Sequence, residues 1–195
     1  MFRITKGFSA REAAAYNLDE ALGLGVVPET SLIESGGKWY SLQNWVDNAT
    51  LGEDVGRGLL LADQEDAGRV QLLDMIMGNA DRHERNWLLT ADGRLVAIDN
   101  GLSVVRDASA GSYFESHNFA RFKNVSAFLD AHKDRLMLSS AYRTKLQKLW
   151  KSGELEKILR IATDVNSRVS GPALLQAAML RASWILDNWD DYFVF

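Results

Sequence analysis

The segment 77–101, MGNADRHERNWLLTADGRLVAIDNG, constrains the chain most, because polar side chains flank a predicted β-hairpin. Residues 87–90 have the apolar pattern of a strand, and residues 95–98 predict the returning strand. The four residues between them, A-D-G-R, are typical of a tight turn. Pairing the two strands brings Asn86, just before the first, close to Asp99, just after the second.

The polar residues of this segment suit phosphoryl transfer, which needs a carboxylate near the attacking hydroxyl and oxygen ligands for Mg²⁺. Asp81 precedes Asn86 by five positions in D-R-H-E-R-N. A plainer interpretation is that each motif is common and Asp99 is an ordinary loop acid, but the ordered combination is far more specific than its parts. A hydrolase using paired carboxylates is a weaker hypothesis, because it leaves Asn86 without a role.

The pattern D-R-H-x-x-N followed by I-D-x-G resembles the catalytic loop and metal-binding segment of phosphatidylinositol 3- and 4-kinases of bacterial type, and more distantly HipA-type kinases. The resemblance implies an α+β, protein-kinase-like fold and an ATP- and Mg²⁺-dependent phosphotransferase. It implies that Asp81 is the catalytic-loop aspartate and that His83 assists the base or the transition state. Asn86 and Asp99 are then the Mg²⁺ ligands. Asn100 departs from the usual aromatic residue or histidine.

Near the N-terminus the sequence predicts a short edge strand over 2–6 and a helix over 9–22. Ser9 and Glu12 have the spacing of a capping box, which alone explains Glu12. Here too R-E-A-A-A-Y followed by L-G-L-G-V-V-P-E-T resembles the same bacterial kinases, in which this helix carries the partner of the phosphate-binding lysine. That resemblance favours a nucleotide-site role for Glu12, with Lys6 the candidate lysine. Three positions of this helix are expected to face solvent: Arg11, Asp19 and Glu20.

Two strands, 26–34 and 38–46, are predicted around a glycine turn. In the resembled fold the second strand leads into the hinge between the lobes, where the backbone faces adenine. The hinge residues are Gln43, Asn44, Trp45 and Val46. The alternative, which we favour for the side chains, makes Trp39 and Trp45 core aromatics on alternating faces.

The expected organisation is a single kinase-like domain with residues 1–47 as a truncated N-terminal lobe and hinge. Residues 48–62, rich in glycine and acids, are the expected linker, and 63–195 the mainly helical C-terminal lobe. Only six residues precede Gly7, so the glycine-rich roof over ATP is expected to be missing. This gap supports the alternative of a catalytically impaired kinase-like nucleotide-binding or protein-interaction module, or of a roof supplied by another chain.

Beyond the linker the sequence predicts a helix from Asp63, as cap, to Met77, with Gly78 ending it. An activation-type segment is expected after Gly101, as far as Asn124. Further helices are predicted over 125–132, 140–151, 154–166 and 171–190.

The amino-acid composition limits the classes of binding partner and the location that we expect for this protein. The formal net charge is −4 and no basic stripe occurs, so nucleic acid is not expected as the main partner, and an anionic membrane surface is disfavoured. There is no cysteine and no apolar run of the roughly 18 residues that span a bilayer, so we expect a cytoplasmic protein without a transmembrane segment. The phosphoacceptor stays open among a protein hydroxyl, a lipid headgroup and a small molecule.

Overall fold

A computed structural model describes residues 6–55, 62–79, 81–103, 136–163 and 171–194. Helices and strands are mixed along the chain, as expected for an α+β protein. The expected activation-type segment and the helix 125–132 lie almost wholly outside the described residues.

Helix α1 spans Lys6–Leu22, an alanine-rich segment with strong helix propensity. It begins three residues before Ser9, so the predicted capping box is wrong. The Ser9 hydroxyl instead donates a hydrogen bond to the Trp39 carbonyl (3.3 Å) and ties the helix to the neighbouring hairpin. The helix therefore starts without Ser9 as its cap, and Glu12 lies in its interior.

A two-stranded antiparallel hairpin packs on α1. Strands β1, Thr30–Ser35, and β2, Lys38–Gln43, are shorter than predicted. The turn between them is Gly36-Gly37, with φ values of 58° and 71°. Both values lie in the left-handed region that glycine adopts without strain, so this turn suits the twist of a tight hairpin.

The predicted linker is structured over its first part. Strand β3, Ala49–Leu51, joins β4, Trp87–Thr90, which pairs with β5, Leu95–Ala97, in the order β3-β4-β5. A short helix α2, Gly52–Val55, follows β3. Strand β3 and helix α2 lie within 48–62, the segment expected to be a linker, and three-residue strands carry too little periodicity to be recognised from sequence.

Helix α3, Gln64–Met77, is capped as predicted. The Asp63 carboxylate accepts hydrogen bonds from the Glu65 and Asp66 amides (2.8 and 3.3 Å), and Gly78 ends the helix at φ 62°. Nearly all of this helix is buried. It forms the centre of the core and delivers the loop that follows it.

The C-terminal part is mainly helical. Its helices are α4 Ser140–Ser152, α5 Glu154–Thr163, α6 Gly171–Asp187 and α7 Trp189–Tyr192. Two short strands, β6 Leu136–Met137 and β7 Phe193–Val194, pair in parallel. The predicted last helix is broken at Asn188, and α6 packs chiefly against α3 and α5. It thus supports α3, the helix that leads into residues 79–86.

Asp19 is 1% exposed, so the prediction that it faces solvent is wrong. Its carboxylate accepts hydrogen bonds from three successive backbone amides, those of Gly25, Val26 and Val27 (3.1, 2.8 and 3.1 Å). It thereby fixes the turn that leaves α1. Burial raises the pKa of Asp19 to about 6 and outweighs the opposing effect of the three amides.

The raised pKa of Asp19 predicts that the loss of unfolding free energy in Asp19→Asn depends on pH. A folded-state pKa above the unfolded value of 3.8 stabilises the protein at acid pH, and this contribution disappears as the pH rises through about 6. The excess stability of wild type over Asp19→Asn should fall by about 1 kcal/mol between pH 5 and pH 7.5. Urea unfolding measures it, with Asp191→Asn as the exposed control; a constant difference would contradict the prediction.

Candidate functional site

Hydrogen bonds within the loop after α3, and to the end of α3, fix the conformation of this loop. The Asn79 amide donates to the Asp74 carbonyl (3.0 Å), and the Asn79 side-chain oxygen accepts from the Asp81 amide (2.9 Å). The His83 amide then donates to the Asp81 carbonyl (2.8 Å). These backbone contacts fix the position of Asp81 without using its carboxylate.

Asp81, His83 and Asn86 lie together. Asn86 Nδ2 donates to the Asp81 carbonyl (2.7 Å) and lies 3.4 Å from the Asp81 carboxylate. His83 Nε2 is 3.9 Å from the same carboxylate, and His83 Nδ1 accepts from the Arg85 amide (3.1 Å). In its neutral form His83 therefore carries its proton on Nε2, towards Asp81. The side chains of Asp81 and His83 are 31% and 44% exposed, so both are accessible to a substrate.

The predicted hairpin is confirmed and joins the two proposed metal ligands. Trp87 pairs with Ala97, and the Ile98 amide donates to the Asn86 carbonyl (3.0 Å). Asp99 follows directly, exposed, with φ 51°. Aspartate tolerates this left-handed conformation better than most residues, and such outliers cluster at functional sites. Asn86 and Asp99 thus lie on the two sides of the open end of the hairpin, which we call its mouth.

The sequence analysis missed a buried arginine at the centre of this mouth. Arg82 is 2% exposed and bonds to both oxygens of Asp74 on α3 (3.0 Å each). Burial raises the pKa of Asp74, and the positive charge of Arg82 partly offsets this. Arg82 is part of the D-R-H motif, but nothing in the sequence distinguishes a buried strut from a surface arginine.

Glu12 lies against the segment that follows β5, residues 98–101. Its carboxylate accepts from the Asn100 side chain (3.4 Å) and from the Asn100 backbone amide. A Cβ added at Gly101 would lie 2.9 Å from Phe8 Cδ1 and 3.3 Å from Glu12 Oε1, so α1 approaches this segment closely. Burial raises the pKa of Glu12, and the charge of Asp99 raises it further.

Lys6 is the first residue of α1, and its side chain lies outside the described residues. Positions six apart lie on different faces of an α-helix, so α1 does not itself bring Lys6 to Glu12. The assignment of Lys6 as the phosphate lysine stays a prediction.

The proposed adenine hinge leaves the end of β2. The Asn44 amide and side chain donate to the Glu29 carbonyl and carboxylate (2.9 Å each), and Gln43 Nε2 donates to the Thr30 hydroxyl (2.9 Å). Trp45 is 87% exposed, so the interpretation of this residue as a core aromatic is wrong. The strand ends at Gln43, and Trp45 therefore lies beyond the sheet that would have covered it.

The residues at the hairpin mouth fit a magnesium ion. Because Asn86 Nδ2 is used in the bonds to Asp81, its oxygen Oδ1 is the atom left for a cation, and Asp99 offers an exposed carboxylate. Mg²⁺ prefers hard oxygen ligands and takes only one or two protein groups beside phosphates and water. The described residues hold no cluster of three or more His, Cys, Asp or Glu that could bind a metal ion.

Part of the chain is similar to known proteins. Residues 67–156, a little under half of the chain, match the family model of phosphatidylinositol 3- and 4-kinase. These comparisons support a phosphatidylinositol 3-/4-kinase-like family. Two plant proteins are similar, both named phosphatidylinositol 4-kinase gamma 4. The protein of Oryza sativa subsp. japonica is 33% identical over 118 residues, and that of Arabidopsis thaliana is 35% identical over 117 residues.

The shared region is partial in both directions. The alignments cover 51% and 47% of this chain but 20% of each plant protein. The matched family region contains Asp81, His83, Asn86 and Asp99, and it begins after α1 and the β1–β2 hairpin. The comparisons thus support a kinase over a region that includes these residues. Among the described helices, none is both long and apolar enough to cross a membrane.

Proposed function

We propose that this chain is an ATP- and Mg²⁺-dependent phosphotransferase of the phosphatidylinositol 3-/4-kinase-like class, with a protein-kinase-like fold. One observation carries the proposal. A single loop and hairpin hold Asp81, His83 and Asn86 in contact and place Asp99 at the same mouth. Phosphoryl transfer depends on such placement more than on covalent chemistry.

Each residue has a distinct role in the proposed reaction. The Asp81 carboxylate accepts a hydrogen bond from the attacking hydroxyl and orients it, and the Nε2 proton of His83 supports the charge that develops nearby. Asn86 and Asp99 hold the cation, which when bound neutralises negative charge on the ATP phosphates. Asn86 also ties the metal ligands to the Asp81 loop through its bond to the Asp81 carbonyl (2.7 Å).

The remaining nucleotide contacts are proposed from the positions of the residues in the kinase fold that the sequence resembles. The backbone near Gln43, Asn44, Trp45 and Val46 is assigned to adenine. Lys6 is the candidate for the phosphates, and Glu12 is assigned to the nucleotide site. An alcohol of a lipid headgroup is the proposed phosphoacceptor, since the similar plant proteins are named as phosphatidylinositol kinases.

A kinase-like binding module without catalytic activity is the second candidate. Its support is that the Glu12 carboxylate accepts a hydrogen bond from the Asn100 side chain (3.4 Å), so the partner that the described residues give it is an amide and not a lysine. A site without a phosphate lysine would still bind a nucleotide through the hinge and the cation. The two candidates differ in turnover and agree on Mg²⁺-dependent binding.

A thermal-shift titration with ATP and ADP, with and without Mg²⁺, tests the proposal. A ligand that binds only the folded state raises the melting temperature by mass action. With Mg²⁺ present and the ligand near 100 Kd, the expected rise is about 5–10 °C, and without Mg²⁺ the rise should be much smaller. An unchanged melting temperature at millimolar Mg²⁺ and nucleotide would contradict nucleotide binding by this chain.

A further inference from the structure

The guanidinium of Arg82 donates hydrogen bonds to the residues on both sides of Asp99. Nη1 donates to the Ile98 carbonyl (2.6 Å), and Nη2 donates to the Asn100 side-chain oxygen (2.5 Å). Nη1 also donates to the Asn86 carbonyl. One buried group therefore touches the backbone of one proposed metal ligand and both neighbours of the other.

Arg82 is itself fixed to α3. Nε and Nη2 bond to the two oxygens of Asp74, which is 1% exposed. Together with the three bonds at the mouth, this uses every N–H of the guanidinium. A lysine has a single ammonium without the fork geometry and cannot make this set of contacts. The mouth of the hairpin is thus rigidly connected to the helix that delivers the catalytic loop.

Asn100 extends the connection to α1. Its side-chain oxygen accepts from Arg82, and its Nδ2 donates to Glu12 Oε2 (3.4 Å). A buried residue here must accept from a guanidinium and donate to a carboxylate, which the amide of asparagine does and an aromatic ring does not. These contacts give a physical reason for asparagine in place of an aromatic residue at this position.

We propose that Arg82 and Asn100 are positioning residues that hold Asp99 at a set distance from Asn86. We propose further that Glu12 acts on this segment through Asn100. The inference rests on the proposed function, since its purpose is to hold the two metal ligands. It gives Glu12 a role that does not depend on a phosphate lysine. Asp99 keeps its left-handed φ of 51° because both of its neighbours are tied down.

Asn100→Ala is the first test, with ADP and Mg²⁺ as probes. Calorimetry should show ADP binding without Mg²⁺ nearly unchanged. The Mg²⁺ concentration for half-maximal enhancement should rise about 10- to 100-fold, the usual effect of losing a group that orients metal ligands. Asn188→Ala is the matched control. It also removes a partly buried side-chain amide, which donates to the Trp184 carbonyl (2.8 Å), but Asn188 lies between α6 and α7 and not next to Asp99. If Asn100 only stabilised the fold, the two variants would raise this Mg²⁺ concentration by similar factors.

A pair of Glu12 variants separates the two roles of that residue. Glu12→Gln keeps an oxygen acceptor for Asn100, so its Mg²⁺ dependence should stay within about 3-fold of wild type, whereas Glu12→Ala should resemble Asn100→Ala. If Glu12 held a phosphate lysine instead, Gln and Ala would weaken ATP binding equally. That result would overturn the role proposed for Glu12.

Amide hydrogen exchange gives a readout that needs no nucleotide. Exchange over 98–103 should be faster in Asn100→Ala and in Arg82→Lys than in wild type, and unchanged in Asn188→Ala. If wild type shows no Mg²⁺-dependent ADP binding, the proposed function fails while this exchange still decides whether the segment is held by Arg82 and Asn100. Unchanged exchange over 98–103 in a folded Asn100→Ala variant would overturn the inference.

Discussion

Asp81→Ala is expected to reduce phosphoryl transfer from ATP by about 10²- to 10⁴-fold, the usual contribution of a positioned acid–base group. ADP binding should be unchanged, because Asp81 acts at the attacking hydroxyl. The fold should survive, since the loop is held by the Asp81 amide and carbonyl, which alanine keeps, and the carboxylate makes only long contacts with Asn86 (3.4 Å) and His83 (3.9 Å). Turnover is measured with phosphatidylinositol vesicles and, in their absence, as ATP hydrolysis.

Asp92→Ala is the control, because Asp92 lies in the turn at the other end of the same hairpin, where its carboxylate accepts a hydrogen bond from the Thr90 hydroxyl (2.5 Å). It should keep wild-type turnover. Loss of both turnover and ADP binding in Asp81→Ala, with a cooperative melt retained, would assign Asp81 to binding instead.

Asp99→Asn is expected to abolish the Mg²⁺-dependent part of nucleotide binding. A neutral amide is a weaker ligand than a carboxylate for a hard dication. Asparagine tolerates the φ of 51° as aspartate does, so the substitution changes the ligand without straining the backbone. The Mg²⁺-dependent rise in melting temperature, about 5–10 °C near 100 Kd, should disappear.

Asp81→Ala is the matched comparison for this experiment, since it should keep the full Mg²⁺-dependent rise. Retention of the rise in Asp99→Asn would show that the cation is held elsewhere. The metal assignment would then be wrong although the hairpin is correct.

The β4–β5 hairpin and the helix α3 could be predicted because their signals are local. Asp63 and Gly78 mark the ends of α3 by capping chemistry, and A-D-G-R marks the turn between β4 and β5. Register then follows from the turn, and with it the approach of Asn86 to Asp99. These features depend on neighbouring residues in sequence.

The errors concern contacts between distant segments. Asp19 has the appearance of a solvent-facing helical acid, and only the return of Gly25 to Val27 to its carboxylate makes it a buried residue. Trp45 is apolar yet exposed, because the sheet ends before it. The contacts of Arg82 join positions up to 18 residues apart, which no periodicity encodes.

The most direct measurement is anomalous diffraction from crystals grown with ADP and Mn²⁺ in place of Mg²⁺. The proposed site predicts a cation peak about 2.0–2.3 Å from Asn86 Oδ1 and from an Asp99 carboxylate oxygen, in contact with the ADP phosphates. ADP bound with its cation on other residues, and with Asn86 and Asp99 both free, would contradict the assignment of this hairpin as the catalytic centre.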